Sequence, residues 1–182
     1  MKQGFVKVAS ATPRIRVADP VYNAQVICEQ AKEAAEHGAK IVVFPELCIT
    51  GYTCNDLFLQ ELLLEKAKEA LLTIVEETGQ LEALFLVGLP VDKDGRLYNV
   101  AAVLYRGRIL GMIPKKNIPM YAEFYEGRHF TPGEETVTEY RLGKQVIPFG
   151  SNLLFRCEEL PELILGCELC EDLWVAEPPS TS

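Results

Sequence analysis

The sequence of 182 residues predicts one α/β domain built on a mixed β-sheet. Short apolar runs alternate with two helical segments, which is typical of strands joined by helices. Two later runs are separated only by Arg106-Gly107, which predicts an antiparallel hairpin within the same sheet. No internal repeat, low-complexity tract or linker divides the chain, and a 48% hydrophobic content suffices for one core.

The first half of the chain contains two predicted helices between short strands. Asp19 is a cap residue and Pro20 suits a first helical position, so a helix is predicted from there to Gly38. Its apolar stripe comprises Val21, Ala24, Ile27, Cys28, Ala31, Ala34 and Ala35, which assigns Cys28 to the core. The other predicted elements are strands over 5–11 and 40–46 and a helix over 60–79.

The second half is predicted to be mostly strand. The runs are 83–90, 99–107, 108–116, 152–160 and 163–170. Beyond them, VAEPPSTS places a Ser/Thr cluster after two prolines, a pattern that more often begins a helix than ends a domain. We therefore expect residues 1–182 to be the N-terminal portion of a longer domain.

Composition argues against several classes of function. The net charge is −8 and the longest basic cluster is the pair Lys115–Lys116, so we expect no nucleic-acid partner. We find neither a secretory signal nor an apolar run of membrane-spanning length, so we expect a cytoplasmic protein that does not bind membranes. Six cysteines in a reducing compartment are expected to be free thiols.

The two histidines exclude most histidine-based chemistry. His37 lies where a predicted helix meets its glycine stop, and one remaining histidine cannot build a multi-histidine metal site. HExxH and paired CxxC patterns are absent, so no metal is expected. A Cys–His pair would require His129 to reach Cys170, which we do not expect.

Three reactive side chains follow predicted strands: Glu46, Lys115 and Cys170. Open α/β sheets build sites at the carboxyl ends of their strands, so the fold can bring the three together. A thiol is mostly protonated at neutral pH and needs a base, but proton transfer to a free glutamate costs roughly 6 kcal/mol. Burial raises the pKa of the carboxylate and a nearby ammonium lowers the pKa of the thiol, so the difference between the two pKa values becomes smaller. The ammonium can also stabilise an oxyanion. The trio is a coherent acyl-transfer site without histidine.

Three segments containing these residues resemble the motifs of one family. They are FPELCITGY, IPKKNIPMYAEFYEGRHFTPG and GCELCEDLWVAEPPS. Their order resembles the nitrilase (carbon–nitrogen hydrolase) superfamily, and EFYEGR with CEDLW and PPS resembles the glutaminase domain of glutamine-dependent NAD synthetases. The resemblance implies that Glu46 is the general base, Lys115 rather than Lys116 the catalytic lysine, and Cys170 rather than Cys167 the nucleophile.

The resemblance also implies a fold, further site residues and partners. The fold would be an αββα sandwich, incomplete here at its C-terminus, in a homo-oligomer. Glu123 would be an additional active-site carboxylate, Tyr121, Phe124 and Glu171 would bind substrate, and the substrate would be L-glutamine. Ammonia would pass to a synthetase domain of the same polypeptide, which is absent here together with its ATP and Mg²⁺. We find neither SGGxD nor GxxxxGK[ST], so no cofactor is expected in this chain.

Other interpretations of the same residues stay open from sequence alone. Glu46 could be a solvated carboxylate at a strand end, Lys115 a surface lysine and Cys170 a small core residue. Cys167 and Cys170 could pair in metal or redox chemistry if the turn began early. Glu123 could be a solvated loop acid. The chain could also be a catalytically impaired folding or interaction module, or a free-standing amidase acting on another amide.

Overall fold

A computed structural model describes residues 4–181 as a layered α/β structure. Seven strands form one sheet in the order β1-β2-β3-β4-β5-β7-β6. They are β1 (Val8–Ser10), β2 (Ile41–Val43), β3 (Leu84–Lys93), β4 (Arg96–Tyr105), β5 (Arg108–Pro114), β6 (Thr138–Leu142) and β7 (Gln145–Phe149). The neighbours β1-β2, β2-β3 and β5-β7 are parallel and the other pairs are antiparallel, so the predicted mixed sheet is confirmed.

Two long helices cover one face of this sheet. They are α1 (Pro20–Glu36) and α2 (Glu61–Glu77). The Asp19 carboxylate accepts a hydrogen bond from the Tyr22 amide, and Gly38 ends the α1 region with φ of +82°, as predicted for both ends. Cys28 is buried between helix and sheet, which confirms its assignment to the core. Among the described residues, no helix has the length and apolar character to cross a bilayer.

The opposite face of the sheet contacts a small second sheet. Its two strands are β8 (Phe155–Arg156) and β9 (Ile164–Leu165). Leu153 and Phe155 press on β5 so closely that a Cβ at Gly111 would lie 2.9 Å from each side chain. Helices, a large sheet and a facing second sheet are therefore stacked in that order, as the predicted sandwich requires.

The sequence prediction differs from the structure most in the last third of the chain. The hairpin β6–β7 was not predicted, although Gly143 marks its turn with φ of +58°. The strands predicted over 152–160 and 163–170 shrink to two residues each. Pro161 has no N–H for a sheet ladder, and the acids at 158, 159 and 162 favour solvent over a buried strand.

Short elements complete the described chain. Helix α3 (Glu171–Trp174) begins directly after Cys170, and 3₁₀ segments cover Tyr52–Leu59, Glu126–Arg128 and Pro179–Thr181. The first two 3₁₀ segments carry Tyr52 and Glu126, whose side chains meet near the carboxyl ends of β2 and β5.

Candidate active site

Lys115 lies at the centre of a buried cluster of charges. It follows β5 directly, and its backbone N–H donates to the Asn99 carbonyl at 2.8 Å. Its side chain is 0% exposed, and Nζ donates to Glu46 Oε1 at 2.8 Å and to Glu126 Oε1 at 2.7 Å. A buried ammonium is stable only with such partners, so Lys115 is not the surface lysine of the alternative interpretation.

The two carboxylates keep Lys115 charged. Burial by itself lowers the pKa of Lys115, but the hydrogen bonds to Glu126 and Glu46 outweigh burial and leave that pKa above its ordinary value. An ammonium has three N–H donors, and two of them are used by the carboxylates. The third donor is therefore available for a group entering the site.

Glu46 is held by a turn rather than by a strand end. The predicted strand over 40–46 ends at Val43, because Pro45 has no N–H to continue the ladder. The turn that follows packs on Gly88 of β3, where a Cβ would lie 2.4 Å from the Leu47 backbone nitrogen. Leu47 itself is fully buried with φ of +52°, a strained conformation for a non-glycine residue. Strain and close packing fix Glu46 beside Lys115.

The second carboxylate at Lys115 is Glu126, not the expected Glu123. Glu126 is 4% exposed and also accepts a hydrogen bond from the Tyr52 hydroxyl at 2.8 Å. Burial, and then the Glu126 carboxylate, raise the pKa of Tyr52 above its ordinary value, so the hydroxyl stays a donor. Glu123 is exposed and lines a cavity of about 110 Å³ beside Tyr52. The site thus contains a buried carboxylate in the EFYEGR segment, Glu126, that the sequence analysis did not single out.

An ion pair anchors the segment that carries Glu126. Arg128 donates to Asp56 through Nε at 2.7 Å and Nη2 at 3.0 Å, which is the bidentate geometry of a strong pair. His129 Nε2 lies 3.1 Å from the same carboxylate. The hydrogen-bond partner of His129 is therefore Asp56, and no Cys–His pair forms with Cys170, in agreement with the sequence analysis.

Cys170 is presented by a strained turn rather than by a strand. Strand β9 ends at Leu165, so the expectation that a strand delivers the thiol is wrong. Cys170 instead precedes α3 with φ of 46° and ψ of −100°, in a region that favours glycine. The residue is exposed, which excludes its interpretation as a small core residue. A costly conformation on an exposed reactive side chain is a feature of functional sites.

The thiol of Cys170 lies in the electric field of the buried cluster. Partial burial and the negative charges of Glu46 and Glu126 raise its pKa, whereas the ammonium of Lys115 and the backbone N–H of Glu171 oppose the rise. The net effect is a pKa above the ordinary thiol value, so the thiol is protonated at neutral pH. A base must take its proton before the sulfur can attack.

Cys167 differs from Cys170 in its burial and in the pKa of its thiol. It packs against the buried cluster that contains Leu169, and burial raises its pKa to about 12. No disulfide joins the six cysteines, which confirms the prediction of free thiols. Within residues 4–181, no group of three or more His, Cys, Asp and Glu side chains is arranged to hold a metal ion. The geometry therefore gives no support to a metal or redox pair at Cys167 and Cys170.

Asp172 joins the Cys170 turn to the segment after Lys115. Its buried carboxylate accepts from the backbone N–H of Asn117 at 2.7 Å, of Lys116 at 3.1 Å and of Leu169 at 3.3 Å. The Asn117 side chain adds a fourth bond at 3.0 Å. One carboxylate therefore fixes the nucleophile's turn against the lysine's segment.

The three residues expected to bind substrate lie together at the mouth of this site. The Tyr121 hydroxyl donates to Glu171 Oε2 at 2.7 Å, and this bond, followed by burial, raises the pKa of Tyr121. The rings of Tyr121 and Phe124 meet edge to face with centroids 5.7 Å apart. Tyr121 is 54% exposed, so the mouth is open to solvent.

Sequence reasoning missed several residues that build the site. Tyr52 lies within the quoted FPELCITGY motif and Asp172 within CEDLW, so a signal for both was present. Asn99 was visible as a polar residue in a predicted buried strand. Gly88 carried no signal, because only the tertiary approach of the Glu46 turn requires a glycine there.

Comparisons with known proteins show which family this chain resembles. The model of the family "Carbon-nitrogen hydrolase" matches residues 7–179. A glutamine-dependent NAD(+) synthetase from Mycobacterium tuberculosis is 40% identical over 179 residues, covering 98% of this chain. The chain spans only 26% of that relative's length.

Two solved structures have a related fold. A glutamine-dependent NAD(+) synthetase from Cytophaga hutchinsonii superimposes with a TM-score of 0.84 and 28% identity, over 91% of this chain and 28% of the other. An amidase of the nitrilase superfamily from Nesterenkonia superimposes with a TM-score of 0.61 and 22% identity, over 79% of this chain and 54% of the other. The family match, the synthetase relatives and the shared fold lead to one conclusion: this chain belongs to the carbon–nitrogen hydrolase family.

Proposed function

We propose that this chain hydrolyses the side-chain amide of L-glutamine to glutamate and ammonia, as the glutaminase part of a glutamine-dependent NAD synthetase. One observation carries the proposal: a buried Lys115 ammonium held by Glu46 and Glu126, with the Cys170 thiol in the field of all three. The similarity to synthetases over almost the whole chain supports glutamine as the amide.

The first step forms a carbon–sulfur bond. Glu46 takes the proton of the Cys170 thiol, and the sulfur attacks the amide carbon of glutamine. Negative charge then develops on the amide oxygen. The free donor of Lys115 and the backbone N–H of Glu171 stabilise this oxyanion.

The second and third steps release the products. Glu46 returns its proton to the amide nitrogen, the carbon–nitrogen bond breaks, and ammonia leaves a γ-glutamyl thioester on Cys170. Glu46 next takes a proton from water, whose oxygen attacks the thioester carbon. Collapse of that intermediate breaks the carbon–sulfur bond, returns the proton to the thiolate and releases glutamate.

The other site residues have supporting roles in this mechanism. Glu126 holds Lys115 and offsets its charge, and Tyr121, Phe124 and Glu171 bind glutamine at the mouth. For Glu123 the exposed position favours a role in the lining of the mouth over one beside Lys115. All the steps use side chains of this chain and water, so we assign ATP and Mg²⁺ to the synthetase domain of such an enzyme. Cytoplasmic location and homo-oligomeric assembly stay predictions.

The test is ammonia release from L-glutamine, compared between the chain and its C170A variant. We expect release from the parent chain and none above background from C170A. Equal release from both proteins would overturn the proposal. Covalent labelling of Cys170 by a glutamine-like electrophile without turnover would instead favour an impaired fragment that retains its reactive thiol.

A further inference from the structure

The buried carboxylates at Lys115 share a second, uncharged partner. Asn99 Nδ2 donates to Glu46 Oε1 at 2.6 Å and to Glu126 Oε2 at 3.4 Å. The residue is 0% exposed. A primary amide has two N–H donors, so one side chain can serve both carboxylates at once.

The chemistry of the cluster fixes the orientation of the Asn99 amide. The opposite orientation would place Oδ1 against two carboxylate oxygens, with no proton between them. In the observed orientation Oδ1 is buried and has no hydrogen-bond partner in the described part of the chain. An orphaned buried acceptor costs free energy, so the contacts made by Nδ2 must offset that cost.

The backbone holds Asn99 in register with Lys115. Strands β4 and β5 pair Val100 with Pro114, and the Asn99 carbonyl accepts from the Lys115 N–H at 2.8 Å. Amide and ammonium therefore reach the carboxylates from adjacent strands. The position of Asn99 does not depend on a mobile loop.

The cluster contains more negative than positive charge, which the Asn99 amide helps to stabilise. Two carboxylates and one ammonium leave an excess of one negative charge, and a neutral donor is the remaining way to stabilise it without a further cation. The groups that face Asn99 are Glu46 from its turn, Glu126 from its 3₁₀ segment and Lys115 from the end of β5. The Tyr52 hydroxyl and the Cys170 thiol lie next to them.

We propose that Asn99 is a positioning residue that holds the carboxylates of Glu46 and Glu126 together beside Lys115, so that Glu46 is oriented to accept the Cys170 proton. This deepens the proposed function and rests on it for the role of Glu46. A base takes a proton efficiently only when its oxygen faces that proton, so a carboxylate that turns away from Cys170 slows the first step. Without the amide, Glu46 and Glu126 would keep Lys115 as a shared partner but lose the contact that joins them from β4.

The test compares kcat and KM for ammonia release from L-glutamine with the rate at which iodoacetamide alkylates Cys170. The value of kcat depends on the oriented base and KM on glutamine binding, whereas alkylation needs no glutamine and reports on the surroundings of the Cys170 sulfur. The parent for the measurement carries Cys157→Ser and Cys167→Ala, which removes the two partly buried thiols and leaves Cys170 with three buried cysteines. Mass spectrometry of the Cys170 peptide gives the alkylation rate.

Two variants and one matched control complete the design. Asn99→Leu removes both donors, and Asn99→Asp keeps the shape but adds a third negative charge. Asn23→Leu is the control, because Asn23 is an equally buried amide whose bonds go to the backbone at Arg16 and Ile49. We expect kcat to fall at least about 10-fold in both Asn99 variants while KM changes less than about 2-fold, and the control to leave both constants in place.

Each other outcome overturns the proposal. An unchanged kcat in a folded Asn99→Leu variant would do so, as would an equal fall in Asn23→Leu or a loss confined to KM. Should Asn99→Leu fail to fold, Asn99→Asp decides alone, since its shape is preserved. Ammonia release by the parent distinguishes this result from the proposed function: release with an unchanged kcat in the Asn99 variants rejects only the role of Asn99. If the parent releases no ammonia, glutamine hydrolysis is rejected, and the alkylation rate decides the role of Asn99: equal rates in the parent and Asn99→Leu reject it.

Discussion

Asp172 and Asn117 are joined by two hydrogen bonds, from the Asn117 backbone N–H at 2.7 Å and from its side chain at 3.0 Å. Asp172 belongs to the helix that follows Cys170, and Asn117 lies two residues after Lys115. The pair connects two distant parts of the sequence at the point where a nucleophile and an ammonium must converge. The placement of Cys170 therefore depends on a residue that does not itself react.

Asp172→Asn should loosen this connection. An amide has one acceptor oxygen in place of two and would direct its own N–H group at backbone donors, so we expect the melting temperature to fall by roughly 5–10 °C. Ammonia release should fall as well, because the Cys170 turn loses its anchor. Asp94→Asn, on an exposed hairpin turn, is the matched control. Equal melting temperatures for the two variants would contradict the assignment.

Glu126→Gln should be far more damaging than Glu123→Gln. The first change removes the negative charge of Glu126 beside the buried Lys115 ammonium. Lys115 then has one ionic partner instead of two and is held less firmly in place. We expect ammonia release to fall at least about 100-fold for Glu126→Gln and less than about 3-fold for Glu123→Gln. Steady-state kinetics of the two variants check this, and a reversed ranking would return the second carboxylate role to Glu123.

Cys170→Gly should be more stable than Cys170→Ala. The backbone at this residue has φ of 46° and ψ of −100°, a strained conformation for any residue with a Cβ. Glycine relieves the strain at some cost in chain entropy, so we expect Cys170→Gly to be about 1 kcal/mol more stable than Cys170→Ala. Denaturant unfolding of the two inactive variants measures the difference. Greater stability of the alanine variant would show that the turn is unstrained.

Alkylation with increasing pH should separate Cys170 from Cys167. Burial and the carboxylates raise the pKa of Cys170, so its labelling by iodoacetamide should still increase at pH values above the ordinary thiol pKa. Burial raises the pKa of Cys167 to about 12, so Cys167 should stay mostly unlabelled until the pH is much higher. Peptide mass spectrometry assigns the label to each sulfur. Equal labelling at pH 8 would mean that Cys167 is not buried as described.

The elements that sequence could predict are those encoded by local patterns. A cap residue, a proline and an apolar stripe predict the α1 helix, and its observed start at Pro20 follows from them. The strand before Lys115 is a continuous apolar run that ends at Pro114. These signals act within a few residues, so no tertiary information was needed to place Lys115 at a strand end.

The features that sequence could not predict depend on tertiary contacts. Choosing between Glu123 and Glu126 requires knowing which carboxylate turns inward, and the hydrogen bond from Tyr52 to the buried Glu126 spans 74 residues. Likewise, the apolar residues over 163–170 suggest a strand, yet the chain leaves the sheet after Leu165 to place Cys170 in a turn. Contacts of high sequence separation determine both outcomes.

The most direct test of the account is the mass of the intact chain, quenched with acid while it turns over L-glutamine. The account predicts a covalent γ-glutamyl adduct on Cys170, formed in the parent chain, lost when glutamine is exhausted and never formed in C170A. Ammonia release that proceeds with no adduct on Cys170, or an adduct on another residue, would contradict it.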